Sequence, residues 1–103
     1  MLAINWRPRA HLDRESIAMY LGIECAAPQA ALKTIKAIDR AIARTQMLPD
    51  SGGHWSQKGL DGEFRTVSAG SYTVFYRYDE ATLTVYRILH QRRDVDTYTL
   101  VEL

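Results

Sequence analysis

The sequence predicts an α+β domain: a helical hairpin packed on a small, mostly antiparallel sheet, in the order β-α-α-β-β-β. Three observations carry that expectation. Residues 28–47 place Ala31, Ile35, Ile38 and Ile42 on one face at helical spacing. Residues 72–90 hold two runs of β-branched and aromatic side chains split by Asp79-Glu80-Ala81, the composition of paired strands. The chain has 103 residues, fewer than the ~150 or more at which a second core is expected. The expectation is a single domain over residues 1–103.

Ala3-Ile4-Asn5-Trp6 is a brief strand within residues 1–7. Pro8 suits the first turn of a helix, where its missing N–H costs nothing. Ala10, Ile17, Leu21 and then Glu24 or Cys25 recur at helical spacing, so the first helix is expected over residues 8–25. Arg14 falls on that stripe and must either snorkel or meet an acid. Ala26-Ala27-Pro28 breaks the helix, and Pro28 opens the second over residues 28–47. Lys33, Lys36, Arg40 and Arg44 fall largely on its other faces. It stops before Leu48-Pro49, because the residue preceding a proline disfavours the α region. Two helices joined by so few residues form an αα-hairpin.

Asp50-Ser51-Gly52-Gly53 reads as loop, and residues 54–61 show no clear period, with Trp55 placed to cap the core. A three-stranded meander is expected over residues 63–90, its strands covering 63–67, 72–78 and 82–90. The turns are Ser68-Ala69-Gly70-Ser71 and Asp79-Glu80-Ala81. Eight of the ten aromatic residues lie beyond position 53, so the sheet carries most of the aromatic core. Residues 91–103 form a tail that starts polar and ends apolar, open to a short helix, an extra strand or an arm. The helices cover one face of the sheet. The other face is expected to be partly open, and an open concave face is a natural site.

Composition excludes several classes. At 47% hydrophobic and 24% charged residues, the chain has the apolar surface that disordered chains lack. No apolar run approaches the ~18 residues of a membrane span. The opening residues lack the basic and long apolar regions of a signal peptide. Cys25 is the single cysteine, with no partner for a disulfide or a thiolate metal site, so a reducing cytoplasm is the expected location. There is no Gly-rich phosphate loop, CxxC, HExxH or GxSxG. His11, His54 and His90 lie in three different elements, so no metal site and no cofactor are expected. Thirteen Lys and Arg oppose twelve Asp and Glu, for a net charge of +1. Gripping a nucleic acid through many phosphates needs a basic excess. Direct nucleic-acid binding is therefore not expected from the composition, although a local patch stays open.

The ordered motifs of the chain resemble a known family. Ala10-x-x-Asp13-x-x-x-Ile17-x-x-Tyr20-Leu21 is similar to its first-helix pattern, and Pro28-x-Ala30-Ala31 to the opening of its second helix. Leu48-Pro49-x-x-Gly52 is similar to the turn after that helix. Gly62-x-x-Arg65, Tyr72-x-Val74-x-Tyr76-x-Tyr78 and Arg87-Ile88-Leu89-His90-x-x-Arg93-Asp94 resemble its long strands and their continuation. In this order and spacing they resemble the RelE/ParE superfamily of bacterial type II toxin–antitoxin systems. Two positions depart from the pattern: Arg14 stands where an apolar residue is common, and Ala27 where Asn often precedes the proline.

The resemblance implies a βααβββ fold and a toxin neutralised by a cognate, ParD-like antitoxin with a DNA-binding N-terminal module. It leaves two branches. RelE-like members are ribosome-dependent mRNA endonucleases, whereas ParE-like members lack that catalytic set and are thought to act on DNA gyrase. Metal-free RNA cleavage needs a base, an acid and a cation for the charged phosphorane, and Arg65, Arg87, His90 and Tyr98 form the available inventory. Against that alternative, residues 53–103 hold six cations and seven acids, too few positive charges for a sheet that must enter the ribosome. The ParE-like branch is the expectation, with Arg87, His90, Arg92, Arg93 and Tyr98 as target-binding candidates. Arg65 and Arg87 also have a plain structural reading, as ion-pair ties between strands. Antitoxin-binding candidates lie on the hairpin: Arg14, Ile17, Leu21, Ile35, Arg40 and Arg44.

Overall fold

The computed structural model describes residues 1–55 and 64–92. In chain order the elements are β1 (Ala3–Trp6), α1 (Pro8–Met19), a π-helical turn (Tyr20–Glu24) and α2 (Pro28–Met47). A 3-10 turn (Pro49–Ser51) leads into β2 (Gly53–Trp55), β3 (Phe64–Ala69), β4 (Tyr72–Tyr78) and β5 (Thr82–His90). The sheet runs β1-β5-β4-β3-β2. β1 lies parallel to β5, and the other three pairs are antiparallel. The hairpin-on-sheet architecture expected from the sequence is the one observed, and the N-terminal strand finds its partner in β5.

The hairpin keeps its two stripes but changes pitch. α2 runs from Pro28 to Met47 and buries Ala31, Ile38, Ala41, Ile42 and Thr45. α1 buries only Ala10 and Ile17. After Met19 the chain widens into a π turn, closed by the Cys25 N–H donating to the Tyr20 carbonyl at 2.9 Å. A π turn adds a residue per turn and rotates the chain beyond it. Glu24 and Cys25, which an unbroken helical period would place near the stripe, are therefore exposed. Ala26 ends the turn in the left-handed region at φ 49°. That conformation strains any residue with a Cβ.

The second half adds a strand and a register shift. β2 falls where the sequence reads as loop and aperiodic segment; three residues are too few to display a period of two. β3 runs on to Ala69, so its hairpin turn is two residues, with Gly70 at φ 61°. Glycine at the first central position suits the turns that match strand twist. Between β4 and β5 the register slips: Phe75 faces Arg87, but Tyr76 faces Val85. Tyr86 is the extra residue of this bulge. Leu83 and Val85 before it, and Ile88 after it, all pack toward the helices. Tyr86 and Leu89 join a second cluster with Trp55, Phe64 and Phe75 on the opposite face.

That second cluster covers part of the face turned away from the helices. Phe64, Phe75 and Leu89 are no more than 4% exposed. The aromatic rings of the cluster meet edge to face, with centroids 5.0 Å apart for Phe64 and Tyr86 and 5.7 Å apart for Trp55 and Phe75. The Arg77 guanidinium lies 4.0 Å from the Phe64 ring centre.

Tyr76 joins the core to the turn after α2. It is fully buried, and its hydroxyl donates to the Pro49 carbonyl at 2.8 Å. The same hydroxyl occupies the space into which a side chain at Gly52 would grow, with the Thr66 carbonyl 2.8 Å from that point. Close approach, not backbone conformation, makes position 52 a glycine.

Both the left-handed alanine and the buried tyrosine have measurable consequences. Ala26→Gly relieves the left-handed strain and should raise stability by up to about 1 kcal/mol, after the unfolded chain's added freedom is counted; thermal denaturation checks it. Burial pushes the Tyr76 phenol above its ordinary value, opposed in part by the Gly52 backbone and Arg65. A group whose folded value is raised stabilises the fold fully below its unfolded value, and loses that contribution as pH climbs through the folded one. Wild-type stability should therefore fall above about pH 10 more steeply than that of Tyr76→Phe, measured by urea unfolding along a pH series.

Candidate functional site

The polar residues singled out on the strands prove to be engaged in holding the fold. Arg87 is 3% exposed. Its Nε donates to Asp13 Oδ2 at 2.7 Å and one terminal nitrogen to Oδ1 at 3.0 Å. The Ile88 backbone N–H adds a third donor to Asp13 Oδ2 at 2.9 Å. This forked pair ties α1 to β5 at the bulge, and it takes Arg87 out of contact with any target. Its structural reading, an ion-pair tie, is the one observed, with α1 rather than a neighbouring strand as the partner. Asp13 stands in the sequence pattern without a role; its separation from Arg87 by 74 positions hides the pairing from any local reading.

Arg65 stands on β3 opposite Tyr76. One terminal nitrogen donates to the carbonyls of Asp50 and Gly52 at 3.1 and 3.2 Å. Its guanidinium also lies 5.7 Å from the Tyr78 ring centre. Arg65 thus ties down the turn that Tyr76 holds from beside it. His90 ends β5 exposed, its Nδ1 accepting the Arg92 N–H at 3.2 Å and its ring edge-on to Tyr72 at 5.4 Å. Arg92 is exposed. Arg93 and Tyr98 lie outside the described residues. Arg65, Arg87 and His90 are each tied to a different neighbour and do not converge on a common point. Among the described residues no group of three or more His, Cys, Asp or Glu could hold a metal ion.

On the hairpin the candidates divide. Ile17 is buried at 8% exposure, and Leu21 and Ile35 pack partly buried against the same core. These three face the sheet and offer little to a partner. Arg14 meets an acid, as its place on the apolar stripe required: it forks onto Asp39 of α2 at 2.7 and 3.0 Å. This hydrogen-bonded partner raises the Arg14 pKa further and keeps the side chain charged. Arg40 and Arg44 are exposed.

The apolar surface lies elsewhere. Leu12, Met19, Tyr20 and Ile23, along α1 and its π turn, are 52 to 71% exposed. Ser16, Met19, Tyr20, Ile23 and Glu24 line a shallow groove of about 270 Å³. A second hollow, about 390 Å³, opens between Trp6, His11, Arg14 and Asp39. The sequence holds the signal for the first of these. Leu12, Met19 and Ile23 follow helical spacing of their own, on a face that reasoning from one buried stripe assigns to solvent. Exposed apolar residues clustered in this way mark interaction surfaces.

The Asp13–Arg87 pair can be tested directly. Asp13→Asn or Arg87→Leu breaks a forked ion pair at the nearly inaccessible Arg87 and should cost about 3–5 kcal/mol. Arg87→Lys should cost a large part of that, because an ammonium cannot fork onto a carboxylate. The double variant Asp13→Leu/Arg87→Met should recover much of the loss in a urea-unfolding cycle.

Comparison with known proteins accords with this geometry. The family model described as the ParE toxin of the type II toxin–antitoxin system, parDE, matches residues 4–95. Over 61 residues the chain is 46% identical to Toxin ParE1 of Mycobacterium tuberculosis, in strains CDC 1551 / Oshkosh and ATCC 25618 / H37Rv. That match covers 58% of this chain and 56% of the relative, so it spans about half the relative's length. A solved chain from the chromosomal ParDE TA system of P. aeruginosa shares the fold, with a TM-score of 0.67 at 20% identity over 87% of this chain and 96% of that one. With the matched model spanning nearly every described element, from β1 through β5, the chain belongs to the ParE toxin family of type II toxin–antitoxin systems.

Proposed function

We infer that this chain is a growth-arresting toxin that acts on DNA gyrase without cutting RNA, and that a cognate antitoxin silences it by docking on the hairpin. The family match supports the toxin role. The origin of the similar solved chain in a ParDE system supports an antitoxin partner.

The engagement of Arg65 and Arg87 carries the choice between branches. Cleavage of RNA without metal needs a cation free to meet the charge that develops on phosphorus. Arg87 is spent on Asp13, and Arg65 on the carbonyls of Asp50 and Gly52. His90 is bound to backbone through Nδ1. The RelE-like alternative draws on these side chains together with Tyr98, which lies outside the described residues.

The antitoxin surface is drawn from the exposed apolar residues of α1 and the π turn. Aromatic and large aliphatic anchors that a partner helix can cover dominate such interfaces. His90 and Arg92, exposed at the end of β5, are the proposed target contacts, with Arg93 and Tyr98 beyond them. Among the described residues no helix is long and apolar enough to cross a membrane, and the cytoplasm is the proposed site of action.

Expression of the chain alone should stop growth, and co-expression of the neighbouring antitoxin should restore it. Protein freed of antitoxin should inhibit gyrase supercoiling and leave ribosome-bound mRNA intact, both assays run on one preparation. Cleaved mRNA with unaffected gyrase overturns the reading. Met19→Ser/Ile23→Ser should weaken antitoxin binding at least tenfold, the scale of lost interface anchors, while the variant still arrests growth.

A further inference from the structure

The composition hides a segregated charge. α2 carries Lys33, Lys36, Arg40 and Arg44, all four exposed. At 3.6 residues per turn their spacing of three, four and four places them within a sector of about 80°. They form a row about 16 Å long, opposite the buried face of Ala31, Ile38 and Ile42. Asp39, the one acid of α2, lies on the flank turned to α1 and is neutralised there by Arg14. None of the four cations makes a side-chain hydrogen bond or ion pair with a described residue.

We propose that this row binds the phosphate backbone of duplex DNA. An acidic protein segment would meet the same charges, but the row lacks the anchors that protein interfaces use. Beside the cations α2 offers Ala37 and Ala43, with exposed Leu32 at one end of the row, Met47 and Leu48 together at the other, and no aromatic side chain that could anchor a partner. The clustered anchors sit on the neighbouring α1 instead. Four cations on a rigid rod, with no continuous apolar surface beside them, match a regular polyanion whose affinity comes from counterion release. Only a local row is required, which is why a net charge of +1 does not oppose it. The proposal stands apart from the gyrase reading, since it concerns contact with DNA itself.

The full-length chain, titrated against a fluorescent duplex of about two helical turns (~21 bp), should bind weakly and lose affinity steeply with salt. The slope of log K against log salt should lie between about −2 and −4, set by up to four phosphate contacts. Lys33→Gln/Lys36→Gln and Arg40→Gln/Arg44→Gln should each flatten that slope by about 2, and their combination should abolish binding. Circular dichroism confirms folding, and the two pairs are read separately if the combined variant fails to fold. Met19→Ser/Ile23→Ser should bind DNA as the wild type does. Salt-independent or absent binding overturns the proposal, as does unchanged binding by the pair variants. Displacement of the duplex by polyglutamate at equal charge concentration also overturns it, in favour of an acidic protein partner.

Discussion

One half-buried carboxylate orders this fold. Asp13 accepts two hydrogen bonds from the Arg87 guanidinium and one from the Ile88 backbone. Taking both charges out of water is costly, and the forked geometry with a third donor offsets that cost. The pair matters because α1 has little else to hold it. The helix is 12 residues long and buries two of them, Ala10 and Ile17. So little apolar area fixes neither its rotation nor its position along β5. Asp13 does both, and it does so at the β5 bulge, where the regular alternation breaks and Arg87 turns to the helix.

The same constraint explains the outside of α1. A helix positioned by a polar lock is released from the need for a wide apolar stripe on its inner face. Leu12, Met19, Tyr20 and Ile23 are thereby left pointing to solvent. α2 is the opposite case, with a strong inner stripe and a row of cations along its outer face. The Arg14–Asp39 fork joins the two helices side by side and uses the cation that breaks the α1 stripe to do it.

How much of this is legible in the sequence depends on the range of each signal. α2 shows its boundaries, because Pro28 and Leu48-Pro49 act within a residue or two and the apolar period runs between them. β4 and β5 are visible through composition. The π turn is not: Gly22 weakens the helix there, but nothing in residues 20–24 specifies a wider turn in place of a break. β2 is too short to show a period, and the bulge at Tyr86 is a property of a strand pair, not of one strand. The site is least legible. Arg87 reads the same in sequence whether it faces a target or an acid 74 positions away, and only the register of β5 against α1 decides. The second cluster is hidden for a related reason: Phe64, Phe75 and Leu89 form it through pairings that span three strands.

Charge shows where counting misleads. The sum over the chain is +1, which on its own argues against any polyanion. The structure sorts the charges before they can cancel. Arg14 and Arg87 each fork onto a carboxylate, so their charges are cancelled where they stand and add little to the surface potential. The cations of α2 have no such partners among the described residues, and a field depends on the charge left unpaired within a Debye length of about 8 Å in physiological salt. A partner drawn to the anchors of α1 leaves the far side of α2 in solvent, because the two surfaces lie on different helices with the Arg14–Asp39 fork between them. One small domain can thus present an apolar face to a protein and a cationic face to a polyanion at once, and neither has to give up area to the other.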